Sequence, residues 1–150
     1  MSRALTEQEW WEAVRRMYQS SELGILDTIS QDTWLEIFEN PKYTNTDLLM
    51  YPKELQYMRS ITEPIHIYRG IGTDKEIDFD EYGYGFSWSL DIDRARWFAC
   101  RFNAKNKMLL KAVVLPTQII AVFFDMQEKE IVVNPLQILN NIKMEVIDEL

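Results

Sequence analysis

Three observations predict an α+β domain, with helices first and a mixed or antiparallel β-core after them. Residues 1–60 carry their apolar side chains at helical spacing. From Ile65 the pattern changes to short β-branched and aromatic runs separated by glycine and acidic clusters. Only one helical stretch interrupts those runs, so the order is not the strand–helix alternation of a doubly wound sheet. At 150 residues the chain forms one domain, with 1–60 as its helical part and 61–150 as its β-rich core.

The elements follow in order. Thr6 and Glu9 make a capping-box pattern ahead of Trp10, Val14, Met17 and Tyr18, and Gly24 is the expected stop of that helix. Asp32 to Glu39 forms a second helix with Trp34, Leu35 and Phe38 on its apolar side, ended by Asn40-Pro41. A third helical element covers Thr46 to Ser60, restarted by Pro52 at a first-turn position. Ile65 to Arg69 reads as a strand, bounded by Pro64 and Gly70. Phe86 to Leu90 reads as a strand running into a helix from Asp91 to Asn103, capped by Asp91 and striped by Ala95, Phe98, Ala99 and Phe102. Met108 to Leu115, Gln118 to Phe124, Glu130 to Val133 and Ile142 to Ile147 complete the strands. No internal repeat or low-complexity segment divides the chain.

Composition narrows the function classes. A net charge of −8 disfavours a nucleic-acid partner and an anionic membrane surface. The run Arg94, Arg96, Arg101, Lys105 and Lys107 reads as a solvated face rather than a binding groove. Cys100 is the only cysteine and His66 the only histidine, so no internal disulfide forms and no Cys/His metal cluster is expected. The opening MSRALTEQEWWEAV lacks the apolar core of a leader peptide, and no apolar stretch reaches membrane-spanning length. A cytoplasmic protein is expected.

The chemistry-bearing residues are few. Glu128 and Glu130 sit two apart on a strand, so both carboxylates point to one face about 6–7 Å apart. Such a pair suits cleavage of a glycosidic bond, one carboxylate stabilising an oxocarbenium ion and the other orienting or deprotonating the attacking group. An isolated E-x-E is more often a solvated strand end. Arg69 ends an apolar strand before Gly70, where a guanidinium can fork onto phosphate and the glycine admits a ligand to the backbone. Ser87 and Ser89 share a strand face and can hydrogen-bond a ribose or a glutamate. Neither reads as a nucleophile, since no histidine lies nearby. Gly83-Tyr84-Gly85 falls short of a dinucleotide fingerprint. His66 reads as a partly exposed strand residue, Trp10, Trp11, Trp34 and Trp97 as core, and Cys100 as a small buried residue.

Taken together, Tyr68-Arg69-Gly70, then Gly85-Phe86-Ser87-Trp88-Ser89-Leu90-Asp91 leading to Trp97-Phe98-Ala99, then Gln127-Glu128-Lys129-Glu130-Ile131-Val132-Val133, resemble the ADP-ribosyltransferase family. The resemblance is to its arginine–serine–glutamate branch, related to the cholera-toxin-like and clostridial-toxin-like enzymes, and covers Ile65 to Pro135. It implies a β-core of the ADP-ribosyltransferase type, NAD⁺ as co-substrate without a metal, and mono-ADP-ribosylation of a protein target. It further implies that Arg69 and Gly70 hold the NAD⁺ phosphates, ribose and nicotinamide, that Ser87 and Ser89 support the ribose, and that Glu130 stabilises the oxocarbenium ion. Glu128 would orient an arginine acceptor, with Phe124 and Gln127 contacting the target from a loop spanning Phe123 to Gln127. Two departures stand out. Trp88 replaces a smaller residue and is expected to narrow the pocket or stack on nicotinamide, and the Gly70–Gly85 connection is short. An NAD⁺ glycohydrolase, or a non-catalytic binding module on the same fold, are the alternative expectations.

Overall fold

The computed structural model describes residues 3–22, 29–74, 76, 85–125 and 128–146. Helix α1 (Glu7–Glu22) opens with the expected reciprocal cap. Glu9 N–H donates to Thr6 Oγ1 at 3.1 Å and Thr6 N–H donates to Glu9 Oε1 at 3.1 Å. Gly24 lies outside the described residues. Helix α2 (Gln31–Phe38) is capped by Ser30, whose hydroxyl accepts from Thr33 N–H at 3.2 Å. The third helical element divides into a 3₁₀ turn (Thr46–Leu49) and helix α3 (Pro52–Ser60). The break falls at Tyr51, which the following proline holds extended at φ −73° and ψ 160°.

Strands β1 (Ile65–Thr73), β2 (Ser87–Ser89), β3 (Asn106–Val114), β4 (Ile119–Asp125), β5 (Glu128–Val133) and β6 (Lys143–Val146) form one six-stranded sheet. Its order is β4-β5-β2-β1-β3-β6, and every neighbouring pair is antiparallel. Helix α4 (Ile92–Cys100) follows β2, and a short helix α5 (Pro135–Ile138) follows β5. The expected α+β order therefore holds, with an antiparallel sheet.

Strand alternation divides the core between the two sheet faces. Ile67, Ile71, Trp88, Leu110, Val122, Ile131 and Val133 pack into one cluster on the first face. Ala121, Phe123 and Val132 on the second face meet Trp11, Val14 and Tyr18 of α1 and Trp34 and Phe38 of α2. Trp88 is 2% exposed within the first cluster and donates from Nε1 to Gly85 O at 2.7 Å. It therefore points away from the Ser87 side chain, contrary to the expectation that it narrows a pocket there.

Helix α4 lies close against β1 because small residues meet on both sides. A Cβ at Gly70 would strike the Ala95 carbonyl, and one at Gly72 the Ala99 carbonyl. Ala95 and Ala99 are buried as expected, whereas Trp97 and Phe102 are 49% and 77% exposed and do not belong to the core. Past the end of the helix, Asn103 turns the chain at φ 49°, a left-handed conformation that asparagine tolerates, and its N–H donates to Cys100 O at 3.0 Å. On the helical side, Arg15 of α1 and Glu54 of α3 form a buried ion pair.

Candidate active site

The site is assembled by strand register. Glu130 on β5 stands opposite Phe123 on β4 and Ser89 on β2, and Ser89 stands opposite Tyr68 on β1. Opposed residues share a face, so Glu128, Glu130, Ser87 and Ser89 all lie on the helix-covered second face. Ser87 Oγ donates to Glu130 Oε2 at 2.9 Å. Tyr18 Oη from α1 is hydrogen bonded to the same Ser87 Oγ. The single serine proton goes to Glu130, so Tyr18 is the donor to Ser87. The result is a chain of hydroxyls ending on one carboxylate, with Tyr18 supplied by the apolar stripe of α1.

Arg69 reaches this site from the other side. Alternation places its Cβ with Ile67 and Ile71, on the first face, and its guanidinium donates from Nη1 to Ser87 O at 2.9 Å. Room for the guanidinium comes from Gly85, where a Cβ would overlap it. Ser87 thus joins Arg69 through its backbone and Glu130 through its side chain. The expectation that Gly70 opens the backbone to a ligand meets a different use of that space, since α4 occupies the position of a Gly70 side chain. Ser89 is 4% exposed, and its hydroxyl accepts from Asp91 N–H at 3.0 Å, so it steers the chain from β2 into α4. Asp91 caps that helix as expected, accepting from Asp93 N–H at 2.9 Å.

Glu128 does not join the Ser87 chain. Its Oε2 accepts from Arg94 Nε of α4 at 3.0 Å. The Arg94 guanidinium carbon lies 4.5 Å from the Trp97 ring centre and 5.0 Å from that of Phe98. Of the stretch expected to be a target-contacting loop, residues 123–125 belong to β4. Phe123 is fully buried, while Phe124 alternates to the opposite side from Glu130 and packs edge-on against Tyr57 at 5.8 Å. Phe124 is therefore not brought together with the glutamate pair, and Gln127 lies outside the described residues. His66 is exposed, as expected, and Cys100 is half-buried.

Three residues with a place at the site carry no signal of it in the sequence. Tyr18 reads there only as one apolar position on a helical stripe, Arg94 as one charge of a solvated face, and Tyr68 as the strand residue before Arg69. Each meets its partner across a long sequence separation, 69 residues for Tyr18 and Ser87 and 34 for Arg94 and Glu128. Periodicity within one element carries no signal of such a meeting.

Among the described residues no group of three or more His, Cys, Asp or Glu side chains is arranged to hold a metal ion, and no helix is long and apolar enough to cross a membrane. No family model, curated protein or solved structure matches the chain.

Proposed function

We propose that this chain is an NAD⁺-dependent mono-ADP-ribosyltransferase with the β-core of that enzyme class, acting in the cytoplasm on an arginine side chain of a protein target. The observation that carries the reading is the hydrogen bond from Ser87 Oγ to Glu130, with Arg69 donating to the carbonyl of the same serine. These three residues, which carry the resemblance in the sequence, come from separate strands and meet at Ser87.

NAD⁺ would supply an N-glycosidic bond whose nicotinamide leaves with the bonding electron pair. Glu130, oriented by Ser87, stabilises the positive charge that develops on the ribose. Arg69 offers a guanidinium suited to phosphate oxygens. The acceptor nitrogen then bonds to the ribose C1′ and gives up a proton to Glu128. Arginine is a poor nucleophile because it stays protonated, so a carboxylate aimed at it is a suitable device.

Hydrolysis of NAD⁺ is the second reading. It is favoured by one observation, that Glu128 is already engaged by Arg94, which leaves water as an available acceptor. The test of both is incubation with labelled NAD⁺ and cell lysate, following nicotinamide and labelled protein bands in wild type and Glu130→Ala. Bands lost in the variant support the transferase, and nicotinamide without bands supports hydrolysis. The absence of both signals would overturn the catalytic reading and leave a binding module.

A further inference from the structure

Glu128 is 15% exposed as a side chain and holds a guanidinium that belongs to the chain itself. Arg94 Nε donates to its Oε2 at 3.0 Å, and the guanidinium carbon lies 4.5 Å from the Trp97 ring centre. A carboxylate combined with an aromatic face is a favourable environment for a guanidinium, through a charge-assisted hydrogen bond and a cation–π contact. Trp97 is half-exposed, so part of the aromatic side of this arrangement is open to solvent, with the Arg101 guanidinium carbon 5.9 Å from the same ring centre. Arg94 is itself one-third exposed, and an incoming guanidinium would take over its place without leaving Glu128 unpaired.

We infer that Glu128 and Trp97 form the guanidine subsite for the acceptor and that Arg94 is its internal occupant, displaced when an acceptor arginine enters. The inference rests on the transferase reading for the identity of the acceptor, but the subsite is a matter of guanidine binding and stands apart from NAD⁺ cleavage. Arg94 competes with the acceptor for one carboxylate. Its removal should therefore strengthen acceptor binding, whereas a residue that merely holds Glu128 in place would weaken binding when lost.

The test uses agmatine, a small alkyl guanidine, as the probe. In ¹⁵N-labelled wild-type protein the Arg94 Nε–H resonance is assigned by through-bond correlation and followed during agmatine titration, without NAD⁺. Saturable movement of that resonance, absent in Glu128→Gln, is the expected result. An Arg94 resonance unmoved at tens of millimolar agmatine overturns the inference, whatever the activity of the protein. In parallel, the agmatine KM for nicotinamide release is compared among wild type, Arg94→Gln and Arg94→Lys. Arg94→Gln should lower it by roughly three- to tenfold, the size expected for loss of a part-exposed competing ion pair. Arg94→Lys should fall between, having no planar fork. An unchanged or raised KM in both variants counts against displacement. If no variant, wild type included, releases nicotinamide, the transferase reading falls while the resonance titration still decides the subsite.

Discussion

Arg15 and Glu54 lie 39 positions apart and meet through two hydrogen bonds, of 2.5 and 2.8 Å, each to a different carboxylate oxygen. The same carboxylate accepts from Tyr51 N–H at 2.7 Å and from Phe124 N–H at 2.7 Å. One side chain therefore ties α1, the start of α3 and the end of β4, next to the strand that carries Glu128 and Glu130. The Arg15 guanidinium is also covered by the Tyr51 ring at 4.0 Å and the Phe123 ring at 4.5 Å.

Glu54→Gln should cost about 3–5 kcal/mol, because it leaves a guanidinium buried without its counter-charge. Burial alone would push the Glu54 carboxyl up, but Arg15 and the two backbone amides outweigh it and hold the group below its ordinary 4.5. A depressed acid contributes stability above its unfolded pKa and loses it as pH falls through the folded one. Urea melts should therefore show the gap between wild type and Glu54→Gln full at neutral pH and shrinking below about pH 4.5.

Ser87→Ala should lower kcat for nicotinamide release by roughly ten- to a hundredfold, the value of a hydrogen bond to a charged group. Tyr18→Phe keeps the ring that packs edge-on against Trp34 at 5.2 Å and removes only the hydroxyl. Its effect should be smaller, about three- to tenfold, with a Tm close to wild type. Equal losses in the two variants would contradict a chain in which Tyr18 acts through Ser87.

The glutamates should separate in their effects. Glu130→Gln should reduce nicotinamide release by about 10²–10³ if, as proposed, this carboxylate stabilises the charge developing on the ribose. Glu128→Gln should retain most release into water and lose transfer to agmatine. Simultaneous assays of nicotinamide and ADP-ribosyl-agmatine check this, and parallel loss of both products in Glu128→Gln would count against separate roles.

Two glycines should behave differently when changed to alanine. At Gly85 the added Cβ meets only the end of the Arg69 side chain, so the guanidinium moves aside and KM for NAD⁺ rises with little change in Tm. At Gly70 the obstacle is the Ala95 backbone, so the helix must shift, at a cost of about 3 kcal/mol. Thermal melts beside NAD⁺ kinetics distinguish the two.

Local chemistry made much of this fold legible. The Thr6–Glu9 cap, the Asp91 cap and the Pro52 restart depend on residues within a few positions of one another, and each stands as expected. Helix α4 was misread in its large residues because hydrophobic periodicity counts Trp97 and Phe102 above alanine. The contact with β1 is made instead by Ala95 and Ala99 against glycine, which leaves the large rings outside. At the site, Ser87 and Glu130 were legible as polar residues on two short strands. The pairing of Glu128 with Arg94 was not, because it depends on how α4 crosses the sheet.

The register irregularity between Ile119 and Ala121 on β4 has a consequence for the sign of charge beside Ser87. Strand β5 reads Glu-Lys-Glu, so sliding it by one residue would turn both carboxylates away and present the Lys129 ammonium to the serine hydroxyl. No intermediate setting exists, because side chains alternate with a period of two. The bulge seats Ile119 opposite Val133 and Ala121 opposite Val132, and the slip would unseat these apolar contacts together. In this way a hydrophobic fit at one end of the hairpin acts as a polarity lock for the other.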